Sequence, residues 1–340
     1  MTQHRPLMMP RDGAGKIDLV GGTGPLKHMT GLPTFMEFFK IDTTFQGQSP
    51  DSIDPGRTKP DVPWAWRISD DAGYSNEIVA RVFIQCAEAL NNKTLKRGDE
   101  NKIKVALHTC KEDLRNCEKA FLRLLRESKD IEQAIKNSGG VKIEKGVVNN
   151  LPQIPNLEHD ATIFLTSSKR ALQSIADVLN EFYGISINNA RFDKGIIQLK
   201  KLNPSPTYLL EFLDKCTATV NRILDLRNFQ DHTPKKTVVK NFHITANGLF
   251  PPTWQVVPET EKPILPEMHE LLGSLIELAE IAFFHSLMDN LAGPFANAYI
   301  VEEIPLAERK DGSAIRFRCE LTLIQRKSGG TSEVSETPAT

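Results

Sequence analysis

The chain has 340 residues, of which 40% are apolar and 25% are charged, and its formal net charge at pH 7 is −1. Such a composition is that of a globular protein with a sizeable core, and the length allows two domains or one domain with extensions. The small net charge argues against nucleic-acid binding by bulk charge, although a few cations lining one groove would be enough to bind phosphate.

The cysteines and the apolar runs bear on the location of the protein. The five cysteines form no CxxC motif and no cluster with zinc-ligand spacing, which predicts reduced thiols, no metal site and a cytoplasmic location. No run of about 18 apolar residues occurs, and the N-terminus lacks the apolar block of a signal peptide. We therefore expect neither a membrane span nor a membrane partner.

Residues 1–75 are rich in glycine and proline and carry only short apolar runs. This composition predicts an irregular N-terminal arm. The segment Gly21-Gly22-Thr23-Gly24 has neither the Walker spacing nor the dinucleotide-binding spacing, so it predicts a flexible turn and no cofactor.

Apolar residues recur at helical spacing over residues 76–91 and 101–136, which predicts a helical region covering 76–150. Pro152 and Pro155 then mark a candidate boundary near residue 150.

The second half, residues 151–327, has the pattern of a helical bundle decorated by a small antiparallel sheet. The tail at 328–340 is of low complexity, which predicts disorder. The fold class predicted for the whole chain is therefore mainly α, with strands confined to the C-terminal half. The predicted elements are helices at 157–183, 207–231 and 266–291, strands near 236–245 and 253–258, and a hairpin of 298–305 with 314–325.

The helix predicted at 207–231 ends in a polar hexad that runs from Arg227 to His232. Because an isolated buried charge is costly, the guanidinium at the core-facing end of this helix needs a partner or a wet cleft. Pro234 stops the helix soon after His232, so a loosened last turn can bring the imidazole beside the guanidinium. The core-facing stripe is Leu209, Leu213, Cys216, Val220, Ile223 and Arg227.

An imidazole, a guanidinium and a carboxamide at the mouth of a helical groove suit RNA cleavage. When the 2′-hydroxyl of RNA attacks the adjacent phosphate, a histidine such as His232 can accept the proton near neutral pH. An arginine such as Arg227 can bind the phosphate oxygens and stabilise the charge that develops there. Lys235 and Lys236 follow directly and add positive charge, which makes them candidate RNA-binding residues.

The segment Leu226-Arg227-Asn228-Phe229-Gln230-Asp231-His232 resembles the Arg-x4–6-His motif of the HEPN superfamily of small helical domains. The resemblance covers about residues 157–292. It implies a HEPN-like bundle in which two motifs meet across a homodimer cleft and cleave RNA without a metal ion, often in toxin or anti-phage systems. His232 would then be the general base or acid, Arg227 the phosphate clamp and Asn228 an orienting group. An antitoxin or another regulatory protein would be a further partner.

Two alternatives stay open from the sequence. One is a catalytically inactive HEPN-like scaffold or RNA-binding protein, because the family contains inactive members. The other is a helical interaction protein in which Arg227 pairs with a neighbouring acid and His232 interacts with the C-terminal end of the helix.

Overall fold

In the computed structural model about half of the chain is helical, and small antiparallel sheets accompany the helices. The predicted helical content is confirmed, but the protein is mixed α/β rather than plainly helical. The structure describes residues 19–141, 143–144 (backbone), 146–148, 151–230, 236–246, 248–309 and 312–322.

Within the described residues, seven α-helices are present, and every helix predicted from periodicity is among them. A π-helical turn at Ile78–Ile84 leads directly into the second helix, and two short 3₁₀ turns lie at Ala296–Ala298 and Leu306–Glu308. The helices are α1 Pro50–Ile53, α2 Gln85–Leu90, α3 Glu100–Asn137, α4 Leu157–Tyr183, α5 Phe192–Leu199, α6 Thr207–Asn228 and α7 Ile264–Asn290.

The long helices α3 and α4 begin and end where their capping residues direct. The carboxylate of Asp99 accepts the backbone N–H of Asn101 at 2.8 Å, which satisfies one free donor at the start of α3. Gly184 follows α4 with φ +64°, the left-handed conformation that ends a helix at little cost for glycine. The two helices pack along each other, with Cys117 Sγ 3.5 Å from the carbonyl oxygen of Phe164. One hydrophobic core thus continues across the boundary that the sequence predicts near residue 150.

The strands form several small antiparallel sheets. The predicted C-terminal hairpin is confirmed, since β12 pairs with β13, and the strands predicted near 236–245 and 253–258 are also present. The four-stranded sheet contains, in this order, β1 His28–Gly31, β2 Met36–Phe39, β3 Thr44–Gln48 and β4 Ala65–Asp70. The three-stranded sheet has the order β11-β10-β7 and contains β7 Thr237–Lys240, β10 Thr253–Val256 and β11 Lys262–Pro263. Three two-stranded sheets pair β5 Ile143–Glu144 with β6 Val147–Val148, β8 His243–Thr245 with β9 Gly248–Phe250, and β12 Tyr299–Glu303 with β13 Phe317–Leu321.

Residues 28–70 carry the four-stranded sheet, where the sequence predicted part of an irregular arm. Phe39 of β2 is fully buried, and Glu37 on the same face of β2 accepts hydrogen bonds from Lys111 Nζ of α3 at 2.8 Å. The sheet therefore packs on the helical core through both apolar and ionic contacts. Its strands are only four to six residues long, and the connection from β3 to β4 is rich in proline, so composition alone concealed them.

Helix α7 has the length and hydropathy to cross a membrane, with a mean hydropathy of 1.5 over its most apolar window. However, 67% of that window is buried inside the protein. The helix also carries Glu267 and the fully buried Glu280, both in ion pairs with arginine. These are the features of a core helix, and the described residues give no clear indication of a membrane protein.

Asp113 of α3 is a buried carboxylate whose two oxygens accept no hydrogen bond among the described residues. Its one ion pair with a described residue is with the exposed Arg170 of α4, whose Nε lies 3.2 Å from Oδ1. Burial raises the pKa of Asp113 to about 6, against the opposing charge of Arg170. The folded protein therefore holds this proton more tightly than the unfolded chain does, and stability falls as the pH rises from about 4 to about 6.

We expect Asp113→Asn to remove this loss and to raise the free energy of unfolding at pH 7.5 by on the order of 1 kcal/mol. Urea unfolding at pH 5.0 and 7.5 measures the effect, with exposed Asp214 of α6 as the site of the control substitution Asp214→Asn. A variant less stable than wild type at pH 7.5 would contradict the account.

Candidate functional site

Of the three candidate catalytic residues, Arg227 and Asn228 are the last two residues of α6. The core-facing stripe of this helix is buried as predicted at Leu209, Leu213, Val220 and Ile223, whereas Arg227 is half-buried. Arg227 thus lies at the border between the core and solvent. A long charged side chain can occupy such a position because its charged end can reach water. His232 and Lys235 lie outside the described residues, and so does the predicted pairing of His232 with Arg227.

The end of α6 is fixed by the strand that returns to it. The hydroxyl of Thr237, the first residue of β7, donates to the carbonyl oxygen of Leu226 at 2.8 Å, and its backbone N–H donates to Phe229 at 2.7 Å. These bonds satisfy carbonyl groups that the last turn of a helix otherwise leaves free. Lys236, exposed and directly before Thr237, is therefore close to the end of α6 in space as well as in sequence.

Helix α4 supports the same end of α6 from the other side. Lys169 Nζ donates to Asn228 Oδ1 at 3.0 Å, and Gln230 Nε2 donates to Thr162 Oγ1 at 3.1 Å. The contact with Lys169 sets the orientation of the Asn228 carboxamide and brings a cation beside the motif.

Asn228 lines a cavity of about 320 Å³ that the sequence did not predict. We call it the basic cavity, because three of its lining residues are cationic and none is acidic. It lies between α4, the segment that joins α4 to α5, the start of α5 and the last turns of α6. The lining residues are Lys169, Ser186, Asn188, Asn189, Arg191, Lys194, Leu224 and Asn228.

The three cations escaped sequence reasoning because no short pattern contains them. Lys169 lies in the middle of a predicted helix, and Arg191 and Lys194 lie in and after a connecting segment. The available signal was the amide-rich run Asn188-Asn189, which precedes Arg191 and is typical of a turn with left-handed residues. Lys236, in contrast, does not line the basic cavity.

The segment at 186–190 is held rigidly by side chains of its neighbours. The amide of Gln173 bonds both the carbonyl oxygen of Ile187 (3.1 Å) and the backbone N–H of Ala190 (2.8 Å). Asn180 Oδ1 accepts the N–H of Ile187 at 2.8 Å. The carboxamide of Gln198 bonds both the N–H and the carbonyl of Ser186. The backbone of this wall of the basic cavity is thus held in place before any ligand binds.

The lack of a side chain at Gly195 of α5 leaves room for Ile187, which belongs to the same 186–190 segment. An added Cβ would lie 2.5 Å from Cδ1 of Ile187, a side chain that is itself fully buried. Alanine usually favours a helix over glycine by about 1 kcal/mol, but this clash would force the 186–190 segment to move.

We expect Gly195→Ala to lower the free energy of unfolding by about 1–2 kcal/mol, the net of overpacking and helix propensity. The matched control is Gly273→Ala in α7, where an added Cβ meets nothing within 4 Å and the change should be neutral or stabilising. Urea denaturation of both variants measures the difference, and equal stabilities would show that Ile187 accommodates the methyl group freely.

A second group of ionisable side chains, away from α6, has ligand atoms close enough to suggest a metal site. Glu37, His108 and Glu112 place one ligand atom each within 4.8 Å of the others. Lys111 Nζ, however, lies 2.8 Å from Glu37 and 3.0 Å from Glu112, so an ammonium group already pairs with both carboxylates. Burial raises the pKa of Glu37, but hydrogen bonding to His108 and the charge of Lys111 outweigh it and hold that pKa below its ordinary value. This group is a partly buried ion-pair cluster that joins β2 to α3.

No family model, no curated protein and no solved structure matches the chain. The functional assignment therefore depends on the chemistry of the site itself.

Proposed function

We propose that the protein is a metal-independent endoribonuclease of HEPN type, with its site at the C-terminal end of α6. The observation that carries the proposal is the position of Asn228. This second residue of the motif adjoins Arg227, is oriented by Lys169 and lines a cavity with three cations and no carboxylate. An anionic polymer is the substrate class that such a surface favours.

The proposed reaction is the attack of a ribose 2′-hydroxyl on the adjacent phosphorus. The hydroxyl loses its proton to an imidazole, the new P–O2′ bond forms, and the P–O5′ bond breaks as the leaving oxygen gains a proton. The products are a 2′,3′-cyclic phosphate and a 5′-hydroxyl end. Arg227 would bind the non-bridging oxygens, where negative charge increases in the transition state, and His232 would transfer a proton.

The HEPN resemblance extends this proposal to partners. In that family two motifs face each other across a homodimer cleft, so one imidazole can accept a proton while the other donates one. We propose the same arrangement here, with Lys235 and Lys236 contributing to RNA binding and an antitoxin or another regulatory protein controlling a growth-arresting or anti-phage activity.

Incubation of the purified full-length chain with single-stranded RNA in excess EDTA tests the proposal. Cleavage of RNA is expected, whereas DNA of the same sequence should stay intact because it lacks the attacking hydroxyl. RNA that remains intact at high protein concentration would contradict the proposal.

A catalytically inactive RNA-binding scaffold is the second candidate, and one contact favours it. The Oδ1 atom of Asn228 is already engaged by Lys169, which is what a residue that only positions a cation would show. RNA binding by the wild-type protein without any cleavage would support this candidate over the nuclease.

A further inference from the structure

We propose that the basic cavity binds one phosphate group of a nucleic-acid strand, as a subsite beside the α6 motif. The choice of RNA as the strand rests on the proposed function, whereas phosphate binding follows from the cavity itself.

The charge of the cavity is the first support. Lys169, Arg191 and Lys194 contribute three positive charges to its lining. Arg191 pairs with Asp193, whose carboxylate accepts its Nε at 3.0 Å and its Nη2 at 2.8 Å, so part of this charge is balanced. The side chain of Lys194 makes no hydrogen bond or close ion pair with any residue that the structure describes, although its charge also acts on the nearby Asp193 carboxylate, so that one carboxylate opposes three cations. A net positive charge therefore faces the cavity, and it attracts a dianionic or polyanionic ligand.

Donor capacity is the second support. An ammonium group has three N–H donors, and the described residues take one donor of Lys169, through Asn228. Because the Oδ1 atom of Asn228 accepts that bond, its NH₂ group is the part of the carboxamide available to a ligand. A phosphate diester offers only hydrogen-bond acceptors, and the lining offers ammonium, guanidinium and amide N–H donors. The lining therefore matches a phosphate better than a carboxamide or a sugar hydroxyl, which both donate as well as accept.

Preorganisation is the third support. The 186–190 segment is fixed by Gln173, Asn180 and Gln198, and Lys169 is fixed by Asn228. Little conformational freedom is lost when a ligand binds to groups that are already held in place. With a volume of about 320 Å³, the cavity lies at the small end of ligand sites and suits one phosphate with part of its sugar rather than a folded partner.

Fluorescence anisotropy with a labelled single-stranded 2′-O-methyl RNA, in EDTA, tests this subsite without any dependence on cleavage. We expect Lys194→Gln to weaken binding roughly three- to tenfold, the size of one charge-assisted contact, and Lys194→Glu to weaken it further. The slope of log K against log salt should fall by roughly 0.7 for the lost contact. The matched control is Lys215→Gln, an exposed lysine on α6 outside the cavity, which should change the Kd less than twofold.

The outcomes separate the subsite from the nuclease. Weaker binding by Lys194→Gln supports the subsite even if wild type cleaves no natural RNA, in which case the proposed function alone fails. Equal Kd values for wild type, Lys194→Gln and Lys194→Glu, with all three proteins folded by circular dichroism, would overturn the subsite even if cleavage occurs. The same loss with DNA shows that the strand is recognised by its phosphates, and a loss seen with RNA only shows that the sugar is read as well.

Discussion

His232→Ala is expected to lower the rate of RNA cleavage by about 10²–10⁴-fold, because the variant loses the group proposed to transfer the proton. Arg227→Ala should cause a similar loss, and Arg227→Lys should recover only part of it, since an ammonium group cannot bind two phosphate oxygens as a guanidinium does. RNA binding by His232→Ala should stay within about twofold of wild type, because phosphate contacts rather than the imidazole provide most of the affinity. Initial rates on a labelled RNA in EDTA, together with anisotropy, separate the two effects.

His269→Ala is the matched control for this prediction. His269 lies on α7, where its ring stacks on Phe121 at a centroid distance of 5.7 Å, and it does not line the basic cavity. Its removal should leave the cleavage rate unchanged. A His232→Ala protein that cleaves at the wild-type rate would contradict the catalytic role of the hexad, whatever the fate of the basic cavity.

Glu280→Ala is expected to cost about 3–5 kcal/mol of unfolding free energy, the largest stability effect that we predict. Glu280 is fully buried on α7, and its carboxylate accepts Arg81 Nη2 at 2.6 Å and Gln85 Nε2 at 2.6 Å. Arg316 Nη1, next to β13, lies 3.4 Å away. Removal of the carboxylate leaves a largely buried guanidinium without its main partner, and an unpaired buried charge is costly.

Glu77→Ala is the control for Glu280→Ala, because it removes the other carboxylate partner of the same arginine. Glu77 lies 2.9 Å from Arg81 Nη1, but its side chain is 67% exposed. A surface ion pair of this kind contributes about 1 kcal/mol or less. Urea denaturation should therefore separate the two variants by at least about 2 kcal/mol, and similar losses would show that burial of Glu280 carries no special cost.

Much of the helical fold was predictable because its signals are local. The helix predicted at 157–183 has those bounds in the structure, since its apolar period is regular and Gly184 supplies the left-handed stop. The end of α6 was predicted within three residues, because a proline at position 234 of the sequence excludes a much longer helix. The four strands at 28–70 were missed, because each is too short for a clear alternating pattern and the sheet packs on residues distant in sequence, as Glu37 shows with Lys111.

The candidate site was predictable only in part. Asn228 lies at the edge of α6 beside Leu224, as its spacing indicated, and both residues line the basic cavity. The cations of that cavity come from two stretches of the chain, with Lys169 on α4 and both Arg191 and Lys194 at the start of α5, and their proximity depends on how these helices pack. The spacing of residues in a single sequence does not indicate which helices pack together. The cavity, and with it Lys194, therefore became visible only in three dimensions.

Analysis of the product ends is the measurement that tests the central claim most directly. Full-length protein and single-stranded RNA are incubated in EDTA, and the fragments are examined by mass spectrometry and by their response to a phosphatase before and after acid. Attack by the 2′-hydroxyl predicts 2′,3′-cyclic phosphate and 5′-hydroxyl ends, present with wild type and lost with His232→Ala. Fragments with 3′-hydroxyl and 5′-phosphate ends, or RNA that stays intact, would contradict the proposed reaction.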